Sequence, residues 1–277
     1  MGKGAPTEEI LEATHDLDRW DVGRVLETIH AEDHRAFEAV GLVLPEVERA
    51  VDVLVSVLEG GGRWFYVGAG TSGRMGALDA AEIPPTFGMA PSRVQAVVAG
   101  GERALARAIE GAEDKGEAAA RTLRGRGLGP SDAVVAVSAS GRTPFAIGGV
   151  EIGRELGART IAVTCSPDSP LARASEIAIA PEVGPEVIAG STRMKGGLAQ
   201  KMVLHLLSTT VMVRLGRVRG NLMTNLVPAS RKLRKRAVRI VMSLARVDEQ
   251  RAGALLEECE GDINRAVARA RGESRTA

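Results

Sequence analysis

Aromatic side chains are scarce: two Trp, one Tyr and four Phe, 3% of a 277-residue chain. That excludes the stacking platforms by which proteins hold single-stranded bases. A surplus of one charge is also missing, because 36 Lys and Arg stand against 35 Asp and Glu for a formal net charge of +1. A balance this close to neutral argues against a general nucleic-acid binder. The one basic run, Arg231-Lys232-Leu233-Arg234-Lys235-Arg236 followed by Arg239, reads as the solvated face of a helix. The two cysteines, Cys165 and Cys259, are far apart, which leaves neither a disulfide framework nor a metal-ligand spacing. His30 and His34 are four apart but have no third ligand nearby, so no metal is expected there. No run of about 18 apolar residues is present to span a bilayer. Charged residues throughout the first 20 positions exclude a signal peptide. The expectation is a cytoplasmic protein with neither membrane nor nucleic-acid partners.

What the chain has is small and aliphatic: 44% hydrophobic residues and 33 glycines, which suits helices packed closely on a parallel sheet. Residues 1–20 are polar and aperiodic, an arm. Residues 21–59 carry apolar side chains at helical spacing, divided near Pro45 and ended by Gly60-Gly61-Gly62. Five short β-prone runs follow, Trp64–Val67, Val94–Val98, Ala133–Val137, Thr160–Thr164 and Ile177–Ala180, most of them separated by helical segments. Strands that are apolar on both faces and alternate with helices predict an α/β fold, a doubly wound five-stranded parallel sheet. Met194–Leu215 predicts a long helix that is apolar on more than one face, buried in the domain or between subunits, with partial burial in a homodimer the favoured reading. The expected organisation is an arm at 1–20, an α/β domain with N-terminal helices at 21–227, and a small helical segment at 228–277.

Three turns are rich in glycine and hydroxyl residues. Val67-Gly68-Ala69-Gly70-Thr71-Ser72-Gly73-Arg74 follows the first strand and matches G-x-G-x-x-G. Its nicotinamide reading needs an acidic residue at the end of the second strand, and Glu102 comes late for that role. Ser138-Ala139-Ser140-Gly141-Arg142-Thr143-Pro144 follows the third strand and opens a helix. Open α/β sheets bind ligands at this carboxyl edge, and a helix start offers unpaired N–H groups to an anion. Ser138, Ser140 and Thr143 are expected phosphate ligands; the same hydroxyls could instead cap the helix. Gly190-Ser191-Thr192-Arg193-Met194-Lys195 opens the long helix, with Lys195 either at the phosphate, near sugar oxygens or solvated.

Taken in order, these turns resemble the layout of the SIS (sugar isomerase) domain family. Gly68–Arg74, Asp79-Ala80-Ala81-Glu82-Ile83-Pro84-Pro85-Thr86, Glu110-Gly111-Ala112-Glu113-Asp114, Ser138–Pro144, Gly190–Lys195 and Val218-Arg219-Gly220-Asn221-Leu222-Met223 are together similar to the N-acetylmuramic acid 6-phosphate etherases within it. The resemblance implies a lyase on a phosphorylated amino sugar, a homodimer with shared active sites, and no metal or redox cofactor. It assigns the proton donor to Glu82 and the second catalytic carboxylate to Glu113. Substrate and phosphate contacts then fall on Gly70, Thr71, Ser72, Ser138, Ser140, Gly141, Arg142, Thr143, Ser191, Thr192 and Lys195. The chain departs from the family pattern at Ala81 and Ile83, in lacking an Asn-Pro after Thr7-Glu8, and at His205. Pro84-Pro85 predicts that the helix from about Ser72 ends near Glu82, where the negative end of the dipole would raise a carboxyl pKa and suit a general acid. A sugar-phosphate sensor and a sugar-phosphate isomerase are the competing readings.

Overall fold

The five apolar runs form a single all-parallel sheet: β1 Trp64–Gly68, β2 Val94–Val98, β3 Ala133–Val137, β4 Arg159–Val163 and β5 Ile177–Ile179, in the order β2-β1-β3-β4-β5. The computed structural model describes residues 6–272, and the parts of the arm and tail expectations that fall on 1–5 and 273–277 lie outside them. Eleven α-helices are described: α1 Val22–Leu42, α2 Leu44–Glu59, α3 Gly70–Phe87, α4 Arg103–Ala106, α5 Gly116–Gly125, α6 Pro144–Glu155, α7 Pro170–Ala174, α8 Lys195–Arg214, α9 Arg231–Ala245, α10 Glu249–Glu258 and α11 Ile263–Ala270. Pro45 sits in the first turn of α2, where its missing N–H costs nothing, so the break with α1 falls at Val43.

Contacts divide the chain into two compact units. The first runs to Ala80 and resumes over Ser92–Val211; the second comprises Ala81–Pro91 and the chain from Met212 onward. The boundary expected between 227 and 228 is therefore not the structural one: 212–227 and 81–91 belong with the C-terminal helices. Helices α9, α10 and α11 of the second unit close over Ala237, Val241, Leu255, Ile263 and Val267, among others. The basic run lies on α9 with Arg231, Lys232, Arg234, Lys235 and Arg239 exposed, as its pattern suggests.

In the first unit, alternation along each strand distributes side chains to two covered faces. Phe65, Val67, Val134 and Ala136 join α5 and α6 in one apolar core. Gly149 and Gly153 let α6 lie close there; a Cβ on Gly149 would stand 2.8 Å from Val67 Cγ1. Trp64, Tyr66, Val135 and Val137 point to the other face and are buried as well. On that face the Tyr66 hydroxyl donates to Asp79 of α3 at 2.7 Å and Ser208 of α8 donates to the other Asp79 oxygen at 3.0 Å. Burial drives the Asp79 carboxyl up, with the two hydrogen bonds and the nearby Lys201 and His205 opposing it. The long helix α8 is thus buried on several faces within this unit, through Ala199, Val203, Leu204 and Leu207.

One expectation fails. Helix α3 does not end at Glu82 but runs through Pro84 and Pro85 to Phe87. Ile83 and Phe87 are buried, so packing of this last turn outweighs the lost amide donors. The stop is Gly88, whose φ of +63° ends the helix and whose N–H closes on the Pro84 carbonyl at 2.9 Å. A Cβ there would lie 2.5 Å from the Asn225 carbonyl oxygen. Glu82 is exposed, inside the helix rather than at its end, and the argument that placed it at the negative end of the helix falls.

Candidate active site

In the sheet order, the chain winds one way from β1 to β2 and the other way from β3 onward, so the ends of β1 and β3 flank a crevice. Gly68 pairs with Val137 in register, and the turns after both strands leave the sheet side by side. Ligands of open α/β sheets bind at such a switch point. A cavity of about 460 Å³ opens there, within the size range of small-molecule sites, roughly 300–1,000 Å³.

The first turn contributes Gly70, Thr71 and Ser72 to its lining. Gly70 takes φ +52° to start α3, and Gly73 packs against β1 so tightly that a Cβ would come within 2.5 Å of the Gly68 carbonyl oxygen. These glycines let a long helix begin directly over the strand end. Its first-turn amides, at Gly70, Thr71 and Ser72, have no intrahelical acceptor and carry the positive end of the dipole.

The second turn brings Ser138, Ser140, Arg142 and Thr143 to the same cavity. Ser138 is buried; its Oγ stands 2.9 Å from Thr143 Oγ1 and accepts from the Gly141 amide at 3.2 Å. Gly141 (φ +63°) shapes the turn from beneath, where a Cβ would strike Ser169 Oγ at 2.1 Å; it is not a lining residue. Helix α6 offers less to an anion than its sequence promised. Pro144 has no N–H, the Phe145 amide donates to the Glu113 carbonyl at 2.9 Å, and the Ala146 and Ile147 amides both reach the Thr143 carbonyl at 3.1 Å. The hydroxyls, rather than the helix-start amides, are what this turn presents.

The third turn supplies Gly190 and Thr192 but not Ser191 or Lys195. Lys195 is 1% exposed, and its ammonium donates to the Glu32 carboxylate of α1. It neither meets the cavity nor is solvated. The first amides of α8 are occupied too: Lys195 N and Gly196 N donate to Glu186 at 3.2 and 2.9 Å. Glu186 is fully buried, and that burial raises its pKa against the pull of these two amides.

Glu113 lines the cavity from the loop before α5, beside Asp114. Its backbone is pinned by the Phe145 amide, and α5 meets α6 through two glycines: a Cβ on Gly148 would sit 2.5 Å from the Gly116 carbonyl oxygen. Glu82 belongs to the second unit. The arm supplies a lining residue that the site expectation had not included, Glu8. The signal for it was faint: Thr7-Glu8 stood out only through resemblance, in a segment without periodicity. The Thr14 hydroxyl donates to the Val187 carbonyl at 3.0 Å and ties the arm down. Cys165 is fully buried with its thiol pushed up to about 12 by desolvation, so it is no nucleophile. Among the described residues no group of three or more His, Cys, Asp or Glu could hold a metal ion, and no helix is long and apolar enough to cross a membrane.

Two family profiles match the chain. One, described as the glucokinase regulatory protein N-terminal SIS domain, covers residues 46–153; the other, the SIS domain, covers residues 119–210. Among solved structures, a phosphoheptose isomerase from Francisella tularensis is similar with a TM-score of 0.55 and 19% identity, over 69% of this chain and 98% of that one. At that identity the likeness concerns the fold alone. Sequence relatives are much nearer. The N-acetylmuramic acid 6-phosphate etherase of Symbiobacterium thermophilum is 49% identical over 94% of this chain and 87% of its own length. Enterococcus faecalis N-acetylmuramic acid 6-phosphate etherase 1 is 45% identical over 97% and 90%. A likeness of that depth, over almost the whole chain, makes this chain a member of the N-acetylmuramic acid 6-phosphate etherase family.

Proposed function

We propose that the chain cleaves the lactyl ether of N-acetylmuramic acid 6-phosphate, giving N-acetylglucosamine 6-phosphate and D-lactate. The observation that carries this is the convergence of the hydroxyl-rich turns and the Glu113 loop on one cavity, in a chain nearly half identical to enzymes named for the reaction. The phosphate sits over the first turn of α3 and the hydroxyls of Ser138, Ser140 and Thr143. The ether oxygen is β to the aldehyde of the open-chain sugar, so loss of the C2 proton sets up its departure. Glu113 takes that proton and leaves an enolate. Collapse of the enolate breaks the C3–O bond, and Glu82 gives a proton to the leaving lactate oxygen. Water then adds its hydroxyl at C3 of the unsaturated aldehyde, and C2 regains a proton. The net reaction consumes one water, with one acid and one base doing the proton work. Glu82 carries the acid role through its D-A-x-E motif alone.

A charged sugar phosphate does not cross a bilayer unaided, which supports a cytoplasmic site of action. The exposed apolar side chains of α1, Val22, Leu26, Phe37 and Leu42, support a homodimer. The test of function is direct. Purified full-length chain is given N-acetylmuramic acid 6-phosphate, and D-lactate is measured. Lactate release establishes the lyase; binding without product favours a sensor; a ketose product favours an isomerase.

A further inference from the structure

Ser72 faces the anion cradle with its hydroxyl turned the wrong way. Ser72 lines the cavity from the first turn of α3, yet its hydroxyl proton is donated to Gln200 Oε1 of α8 at 2.8 Å. A hydroxyl has one proton. While Gln200 accepts it, Ser72 presents only lone pairs to the cavity, and a phosphate, itself an acceptor, is repelled there. The other end of the same amide is anomalous as well. Gln200 is 1% exposed, and its Nε2 has no hydrogen-bond partner among the described residues. Leaving a buried donor unpaired is unfavourable, because its hydration is lost and nothing replaces it.

Rotation of the amide frees the hydroxyl and pairs the orphaned nitrogen, while the amide oxygen takes the position that has no partner. The oxygen and nitrogen of an amide are nearly isosteric, so a half-turn about the terminal torsion of Gln200 exchanges them with little steric change. Nε2 then donates to Ser72 Oγ across the same 2.8 Å gap, and the Ser72 proton is released toward the cavity. We propose that Gln200 is a positioning residue that sets the polarity of Ser72: its amide turns to donate to Ser72 when an anion occupies the α3 N-terminus, and Ser72 then donates to that anion. The inference rests on the anion-binding reading above and deepens it. Gln200 itself touches no substrate. It acts through a hydroxyl, from a helix already clamped at its start by Glu186 and Lys195.

The test uses inorganic phosphate as the probe, titrated calorimetrically into the full chain. The proteins are wild type, Gln200→Glu, Gln200→Met, Ser72→Ala and the two double variants. A glutamate can only accept from Ser72, so Gln200→Glu is expected to weaken phosphate binding by roughly tenfold or more, the scale of one hydrogen bond to a charged group. Gln200→Met removes the orienting donor without adding charge and is expected to cost about threefold. With Ser72→Ala already in place, the methionine change costs nothing, and the glutamate change costs only its through-space repulsion, well under its effect beside Ser72. In turnover, both Gln200 changes raise KM and leave kcat within about twofold, since binding shared by ground and transition states appears in KM alone. Should the glutamate variant fail to fold, the methionine cycle by itself decides the matter. Equal effects of Gln200→Met with and without the Ser72 hydroxyl overturn the proposal, and so does a wild type that binds no phosphate. A wild type that binds phosphate but releases no lactate removes the etherase reading, and the methionine cycle then still supports or overturns the role of Gln200.

Discussion

The backbone amide of Phe145 donates to the carbonyl of Glu113 at 2.9 Å. One hydrogen bond thereby uses a donor at the start of α6 and fixes the loop that carries the proposed base. The fixing is through the main chain, so the Glu113 side chain can be changed without releasing the loop. Glu113→Gln is expected to fold with the wild-type melting temperature and to lower the rate of lactate release by about 10²-fold or more, the usual worth of a general base. Circular dichroism melting and a steady-state lactate assay check the pair of statements. Wild-type turnover in this variant would remove Glu113 from the mechanism.

The Gly116–Gly148 contact is the second support of that loop. With the Gly116 carbonyl oxygen 2.5 Å from where a Cβ would stand, Gly148→Ala must push α5 from α6, because the obstacle is backbone. Overpacking of this kind costs about 1–3 kcal/mol. Urea denaturation should show that loss. At a temperature where the variant remains folded, kcat should still be depressed, because Glu113 moves with its loop.

Lys195 and Glu32 form a buried pair, the lysine 1% exposed and the glutamate flanked by Arg35 at 3.3 Å. Removing one partner strands a charge: Lys195→Met is expected to destabilise by about 3 kcal/mol, toward the lower end of the usual range because Arg35 remains beside Glu32. Replacing both, with Glu32→Leu added, should return most of the loss. Urea midpoints of the three proteins decide it, and a single variant as stable as wild type would contradict the pairing.

The Asp79 carboxyl titrates above its ordinary value, chiefly from burial. The native state therefore holds this proton at pH values where the unfolded chain has lost it. Its stabilising contribution is complete below the unfolded carboxylate pKa of about 4 and is lost as pH rises through the elevated folded value. The difference in unfolding free energy, wild type minus Asp79→Asn, is expected to fall over that interval and then level off. A difference that grows with pH in denaturant melts would reverse the sign and refute the burial argument.

Several features were legible because their causes are local. Each strand is an apolar β-prone run bounded by turn residues, so Val94–Val98 and Ala133–Val137 appear where the pattern places them. The hydroxyl-rich turns were legible for the same reason, since a strand end followed by small residues and a helix start has few other uses. The end of α3 was not legible. Two prolines signal a stop, and the burial of Ile83 and Phe87 overrides it. Nor could the arm show that Glu8 reaches the cavity, because its placement depends on contacts such as that of Thr14 with Val187, 173 positions away.

The chain by itself determined the parallel sheet and the placement of the hydroxyl-rich turns at its carboxyl edge, because apolar periodicity and turn chemistry act over a few residues. Tertiary structure alone decided which groups are free to act there. Lys195 is drawn to Glu32 across 163 positions, the first amides of α8 go to Glu186, and those of α6 go to Glu113 and Thr143. A buried donor or charge takes whatever partner the fold brings within reach, and sequence spacing carries no record of that partner.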